Sequence, residues 1–121
     1  MIFKNQKTGA AGEKIALSYL KKNNFKILSR HFTSRWGELD IVAKKEGIIH
    51  FIEVKTRIGE KKGKPYEAVN YFKIRALRRV IDYYLLKNKF FNFKLSLDVI
   101  SIILNGDLSL KEINFYENID N

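Results

Sequence analysis

The ten residues Ile48–Arg57, IIHFIEVKTR, constrain this chain most. They are mostly apolar and β-branched, the pattern of a buried strand. Yet a carboxylate and an ammonium, Glu53 and Lys55, stand two positions apart near the end of the run. On a strand that spacing puts both on one face. Burying either charge costs several kcal/mol unless something pairs with it (about 3–5 kcal/mol for an orphaned partner). The piece just before it carries the same conflict. In Glu38-Leu39-Asp40-Ile41-Val42-Ala43 an Asp, a poor strand former, interrupts an apolar run. Between the two pieces, Lys44-Lys45-Glu46-Gly47 is a polar, glycine-containing turn of hairpin type. Closing the hairpin there brings Asp40 near Glu53 on the neighbouring strand.

Two converging carboxylates repel and raise each other's pKa unless a cation lies between them. A hard divalent ion such as Mg²⁺ (or Mn²⁺) takes one or two carboxylates, often a backbone carbonyl, and waters. The Val54 carbonyl, between Glu53 and Lys55, is a candidate third ligand. Lys55 beside such an ion would assist an attacking water or stabilise charge on a reacting phosphate. The plainer reading is a same-face Glu53–Lys55 salt bridge with Asp40 serving the turn. The residues alone leave both open.

The order Asp40…Glu53-Val54-Lys55 resembles the Asp…(Asp/Glu)-x-Lys motif of restriction-endonuclease-like nucleases. More closely, the chain resembles the YraN-like family of small bacterial proteins, itself similar to archaeal Holliday-junction resolvases. The matching pieces are Gly9-x-x-Gly12-Glu13-x-x-Ala16, Gly37-Glu38-Leu39-Asp40-Ile41-Val42, Phe51-Ile52-Glu53-Val54-Lys55-Thr56-Arg57, Pro65-x-Glu67-Ala68-Val69-x-x-x-Lys73 and Leu97-Asp98-Val99-Ile100. Leu39 stands where many nucleases of the wider group have Pro. Ser96 and Leu97 replace a basic residue and a Phe before the late Asp. The resemblance implies a metal-dependent nuclease in which Asp40 and Glu53 bind Mg²⁺, Lys55 assists water, and Glu13 supports the cluster. It also implies that Lys73 faces the site and touches phosphate or a carboxylate ligand. Structured or branched DNA as substrate, and a homodimer, follow only by analogy with the resolvases.

Charge points the same way. The chain has 23 Lys and Arg against 13 Asp and Glu, a net +10 in 121 residues, which favours a polyanionic partner, nucleic acid before anionic membrane. An excess of solubilising lysine is the bland alternative. There is no cysteine, so disulfides and thiolate metal sites are excluded and a cytoplasmic protein is expected. Neither a membrane span nor a signal peptide is expected. The length fits one domain over residues 1–121.

In chain order, Thr8 is placed to cap a helix to about Lys22, with Gly9 and Gly12 in its first turn suggesting close approach of a ligand or backbone. Glu13 falls on its packed side, either as a first-turn Glu favoured by the helix dipole or as a member of the metal cluster. Asn23-Asn24 stops the helix and Phe25–Phe32 reads as a strand. His31 and His50 read as turn and packing residues, without metal-ligand spacing to any partner. Trp36 is either a base-stacking ring or a hydrophobic lid at the mouth of the site. After Arg57, a loop carrying Lys61, Lys62 and Lys64 is a candidate DNA clamp. A helix over about Glu67–Leu86 has a packed stripe of Val69, Ala76, Leu77, Val80 and Tyr84, with Lys73 in its middle. Arg75, Arg78, Arg79 and Asp82 form another face, either a phosphate-binding ridge or a solvated face with an Arg78–Asp82 pair. Phe90–Phe93 is core or interface. Leu95–Leu104 is an apolar strand holding Asp98, which is ambiguous: a buried pair with Lys or Arg near the site is one reading, and it is not placed on the metal. Leu110–Tyr116 returns as an edge strand. The expected fold is α/β, a restriction-endonuclease-like sandwich with a mixed central sheet flanked by helices, in the order αβββαβ plus a C-terminal edge strand.

Overall fold

A computed structural model describes residues 2–59 and 71–119. Its elements follow the expected order: α1 (Ile2–Lys22), β1 (Lys26–Ser34), β2 (Gly37–Lys45), β3 (Ile48–Ile58), α2 (Tyr71–Asn88), β4 (Lys94–Leu104) and β5 (Leu110–Tyr116). The strands form one mixed sheet in the order β1-β2-β3-β4-β5. β3 and β4 are parallel and the other neighbours antiparallel. A parallel pair needs a crossover connection, and α2 lies on it.

The sheet buries an apolar layer on each face. Ala16 and Leu20 of α1 pack on Ile41, Ala43, Ile52, Ile100, Ile102 and Leu104. Leu77, Val80, Ile81 and Tyr84 of α2 pack on Leu39, Val42, Ile49, Phe51, Leu97 and Val99. Within α2, Ile81 takes the place expected of Ala76, which is exposed. The two lie on opposite flanks of the Leu77–Val80–Tyr84 stripe, and the helix is turned so that the Ile81 flank meets the sheet.

α1 begins at Ile2, more than one and a half turns before the expected cap, so Thr8 and both glycines are interior to it. It ends as the Asn pair suggests. Asn24 is left-handed, with φ 69°, and the Phe25 amide donates to the Leu20 carbonyl at 3.0 Å. Gly12 is where helix and sheet touch: a Cβ there would lie 1.9 Å from Thr56 Oγ1 on β3. Gly9 has open space around it.

The alternation of β2 slips at one point. Leu39 and Val42, three apart, face the α2 layer, while Ile41 and Ala43 face α1. On the neighbouring β1, His31 takes a positive φ of 52°. The β2–β3 ladder runs from Lys45↔Ile48 to Ile41↔Ile52 and stops. β3 continues to Ile58 beside β4 alone. Asp40 and Glu53 therefore sit where two strands part.

The close approach at Gly12 makes a paired test. Gly12→Ala should lower stability by about 1–3 kcal/mol through overpacking against Thr56. Gly9→Ala should be neutral or raise it by up to ~1 kcal/mol through helix propensity. Urea denaturation of the two variants measures both.

Candidate functional site

The parting of β2 and β3 leaves the end of β3 without a strand partner on that side. The Asp40 carboxylate fills the first gap, accepting a hydrogen bond from the Val54 amide at 2.9 Å. An Asp in a strand thus does for β3 what a ladder bond would have done. Its second oxygen is left for other work.

Two cavities open at this point and share Asp40 and Lys55. One, of about 600 Å³, lies under the first half of α1 and includes Gly9, Glu13, His31, Val54 and Thr56 in its lining. The other, of about 390 Å³, lies on the α2 side and is lined by Trp36, Gly37, Glu38, Glu53, Lys73, Leu77 and Val80 as well. Glu53 is buried, and the Lys73 ammonium stands 4.0 Å from its Oε2. Asp40, Glu53, Lys55 and Lys73, expected to converge, do so. Glu13 reaches the same region from α1 through the larger cavity.

The electrostatics are those of a buried acidic pair set beside two lysines. Burial first, then the neighbouring Asp40, push the Glu53 carboxyl up to about 7, against the pull of Lys73 and Lys55. Burial also raises Asp40, although the Val54 amide opposes it. Burial and the adjacent Lys73 lower Lys55. Glu13 gives one oxygen to the His31 ring at 2.7 Å, while its Oε2 is buried without a hydrogen-bond partner. These donors are all carboxylate oxygens beside a backbone carbonyl, the set that suits a hard cation such as Mg²⁺ or Mn²⁺ rather than a thiophilic one. Asp40 and Glu53 offer oxygens of the kind such a cation takes, and the unpartnered Glu13 oxygen stands in the adjoining cavity without joining them in a group of three ligand atoms within 4.8 Å.

The other expected contacts divide. Arg57 lies two residues beyond Lys55 on the same strand, and Arg75, Arg78 and Arg79 are exposed on α2. Arg78 and Asp82 line a small groove together. Lys61, Lys62 and Lys64 lie outside the described residues.

Both histidines depart from expectation. His31 bridges Glu13 and Glu38, its ring nitrogens 2.7 and 3.0 Å from them, and these two carboxylates raise its pKa. His50 meets Asp98, its Nδ1 2.6 Å from the buried carboxylate, so the partner of Asp98 is a histidine and not Lys or Arg. Ser96, where the wider family pattern has a basic residue, donates to the other Asp98 oxygen, and the Asn118 amide joins it at 3.0 Å. Together with Glu117, His50 and Asp98 place their ligand atoms within 4.8 Å of one another, a group able to hold a metal. Its present hydrogen bonds already close the network around Asp98. It lies on the α1 face, with Phe25 edge-on to His50, away from Glu53 and Lys55. No sequence spacing announces these pairs: His50 and Asp98 are 48 positions apart and meet only because β3 and β4 are neighbours.

The profile of the uncharacterised protein family UPF0102 matches residues 12–102. The chain is 42% identical to the UPF0102 protein of Clostridium acetobutylicum over 94% of its own length and 93% of the relative's. It is 40% identical to that of Clostridium perfringens, over 92% and 91% of the two chains. To that of Caldicellulosiruptor saccharolyticus it is 39% identical, over 91% and 93%. The stretch that the family profile matches contains Glu13, Asp40, Glu53, Lys55, Lys73 and Asp98.

Two stability measurements separate the clusters. A carboxyl whose folded value of about 7 exceeds its ordinary 4.5 costs the fold stability as pH rises between those values. Glu53→Gln should therefore stabilise the metal-free protein at pH 8.5 by roughly 1–3 kcal/mol and give no gain at pH 4, read by urea denaturation. Asp98→Ala should do the opposite at any pH near neutral. It strands His50, Ser96 and the Asn118 amide in the interior and should cost about 3–5 kcal/mol.

Proposed function

This chain belongs to the uncharacterised protein family UPF0102, and we propose that it is a divalent-metal-dependent nuclease that hydrolyses DNA phosphodiester bonds. The observation that carries the reading is the convergence of Asp40, Glu53 and Lys55 at the point where β2 and β3 part, with Asp40 tied to the Val54 amide. A salt bridge alone would not need a second carboxylate, and a turn Asp would not sit beyond the ladder's last pair. In this reading Asp40, Glu53 and the Val54 carbonyl hold Mg²⁺ or Mn²⁺. When bound, such an ion supplies Lewis-acid charge to the scissile phosphate and acidifies water.

The chain's own groups do the rest. Lys55, held below its ordinary pKa by burial and Lys73, is suited to take a proton from the attacking water. Lys73, half-exposed beside Glu53, neutralises a phosphate oxygen. Glu13, fixed by His31, offers its unpartnered oxygen to a water or second cation in the larger cavity. Arg57, with Lys61, Lys62 and Lys64 after it, and the exposed Arg75, Arg78 and Arg79 hold flanking phosphates. The net charge of +10 supports a polyanionic substrate. Branched or structured DNA is the proposed preference, by the likeness to junction resolvases, and a homodimer would serve it. The whole chain acts as one domain. Among the described residues no helix is long and apolar enough to cross a membrane.

A nucleic-acid-binding module that keeps the fold without catalysis is the competing reading. Glu53 bears on it: a buried carboxyl pushed up to about 7 is a cost that a pure binder has no reason to carry.

The test is cleavage of labelled single-stranded, duplex, flap and four-way-junction DNA in Mg²⁺, Mn²⁺ or EDTA. Wild-type protein should cut at least one substrate only with metal. Glu53→Ala and Lys55→Ala should each lose about 100-fold or more. Millimolar Mg²⁺ should raise the melting temperature of the wild type and leave that of Glu53→Gln unchanged. No cleavage of any substrate, with DNA binding equal in all variants, would overturn the catalytic reading.

A further inference from the structure

At the edge of the α2-side cavity, Trp36 begins a row of aromatic rings that the proposed chemistry does not use. Trp36 lines this cavity beside Asp40, Glu53 and Lys55. Its ring lies 5.7 Å from that of Tyr83, and Tyr83 lies 5.9 Å from Phe32. Tyr83 is 37% exposed, which leaves part of its ring open to solvent. Each ring carries a cation. The Arg35 guanidinium sits 4.7 Å from the Trp36 centroid, and the Lys87 ammonium 5.8 and 5.9 Å from Phe32 and Tyr83. Arg35 and Lys87 are exposed and have long, flexible side chains.

Phe32 and Trp36 rest on the α2-side core, Phe32 edge-on to Tyr84 at 4.9 Å, which fixes the rings in place. What covers them from solvent is a pair of cations that can leave. A nucleic-acid strand offers both parties something better. Its phosphates take Arg35 and Lys87, and its bases take the ring faces they vacate. Only an unpaired base can do this, because a paired base keeps its faces inside the stack. The charge of the neighbourhood agrees: Arg79, one turn before Tyr83 on α2, extends the row of exposed cations.

We propose that Trp36, Tyr83 and Phe32, with Arg35 and Lys87, form a stacking platform for an unpaired base next to the reacting phosphate. The substrate class is then DNA with single-stranded character at the cut. The placement beside the reacting phosphate rests on the nuclease reading, while the stacking itself does not.

Trp36 is the single tryptophan of the chain, so it reports on its own contacts. The experiment titrates the full-length protein in EDTA with a 12-nucleotide oligothymidylate, an abasic strand of the same length and charge, and a 12-base-pair duplex. Oligothymidylate should quench the tryptophan emission and bind about 10-fold more tightly than the abasic strand, which should not quench. Tyr83→Ala, exposed enough to leave the fold intact, should lose about 10-fold on oligothymidylate and nothing on the abasic strand. Trp36→Phe, which has no tryptophan and is followed by the anisotropy of a fluorescein-labelled strand, should still bind oligothymidylate more tightly than the abasic strand. Equal quenching by both strands, an equal effect of Tyr83→Ala on both, or no binding of oligothymidylate would each overturn the platform. Quenching as expected in a protein that cuts no DNA would sink the nuclease reading and leave the platform standing. Cleavage without base-dependent quenching would do the reverse.

Discussion

The hydrogen bond from the Val54 amide to the Asp40 carboxylate marks the point on which the site depends. Above it β2 and β3 are an ordinary hairpin; below it they separate. A carboxylate that replaces a ladder bond keeps the first freed amide of β3 satisfied without keeping the strands together. The sheet can then open between two faces without an orphaned donor at the break. Both cavities meet there, and Asp40 and Lys55 look into both. Glu53, one residue before the bonded amide, is held on the α2 side by the alternation that puts Ile49 and Phe51 in that core.

The rest of the fold holds this opening in place. Gly12 lets α1 lie against Thr56, which brings Glu13 to the larger cavity. α2 seats Leu77 and Val80 under the smaller one and carries Lys73 to Glu53. The Asp98 network lies apart from this opening. It satisfies a buried carboxylate in the central parallel pair and ties the segment after β5 to β4, where the Ile119 amide also donates to Leu97. The two acidic centres thus divide the labour. One is closed by its own donors, and in the other burial raises both carboxyls despite two neighbouring lysines.

Much of this was written in the chain. Apolar runs with a period of two, a glycine-containing turn and a helical stripe were enough for element order and sheet type, because burial dictates periodicity. The charges inside β2 and β3 drew attention for the same reason: an ionisable residue in a buried pattern needs a partner. Errors fell where local pattern and packing compete. The helix started earlier than Thr8, since a single residue of capping type is a weak signal of where a helix begins. Ile81 is buried and Ala76 exposed because the rotation of α2 against the sheet, which local pattern does not fix, turns the Ile81 flank inward.

What the sequence by itself determined is which residues can be buried, in what order the strands and helices run, and that Asp40, Glu53 and Lys55 fall on adjoining strands. Only the tertiary structure decided who meets whom across long separations: His31 with Glu13 and Glu38, His50 with Asp98, Trp36 with Tyr83. Periodicity is a property of one segment and can be read along it. Partnership depends on which strands lie side by side and where a strand's alternation slips, and those are settled by the packing of the whole sheet.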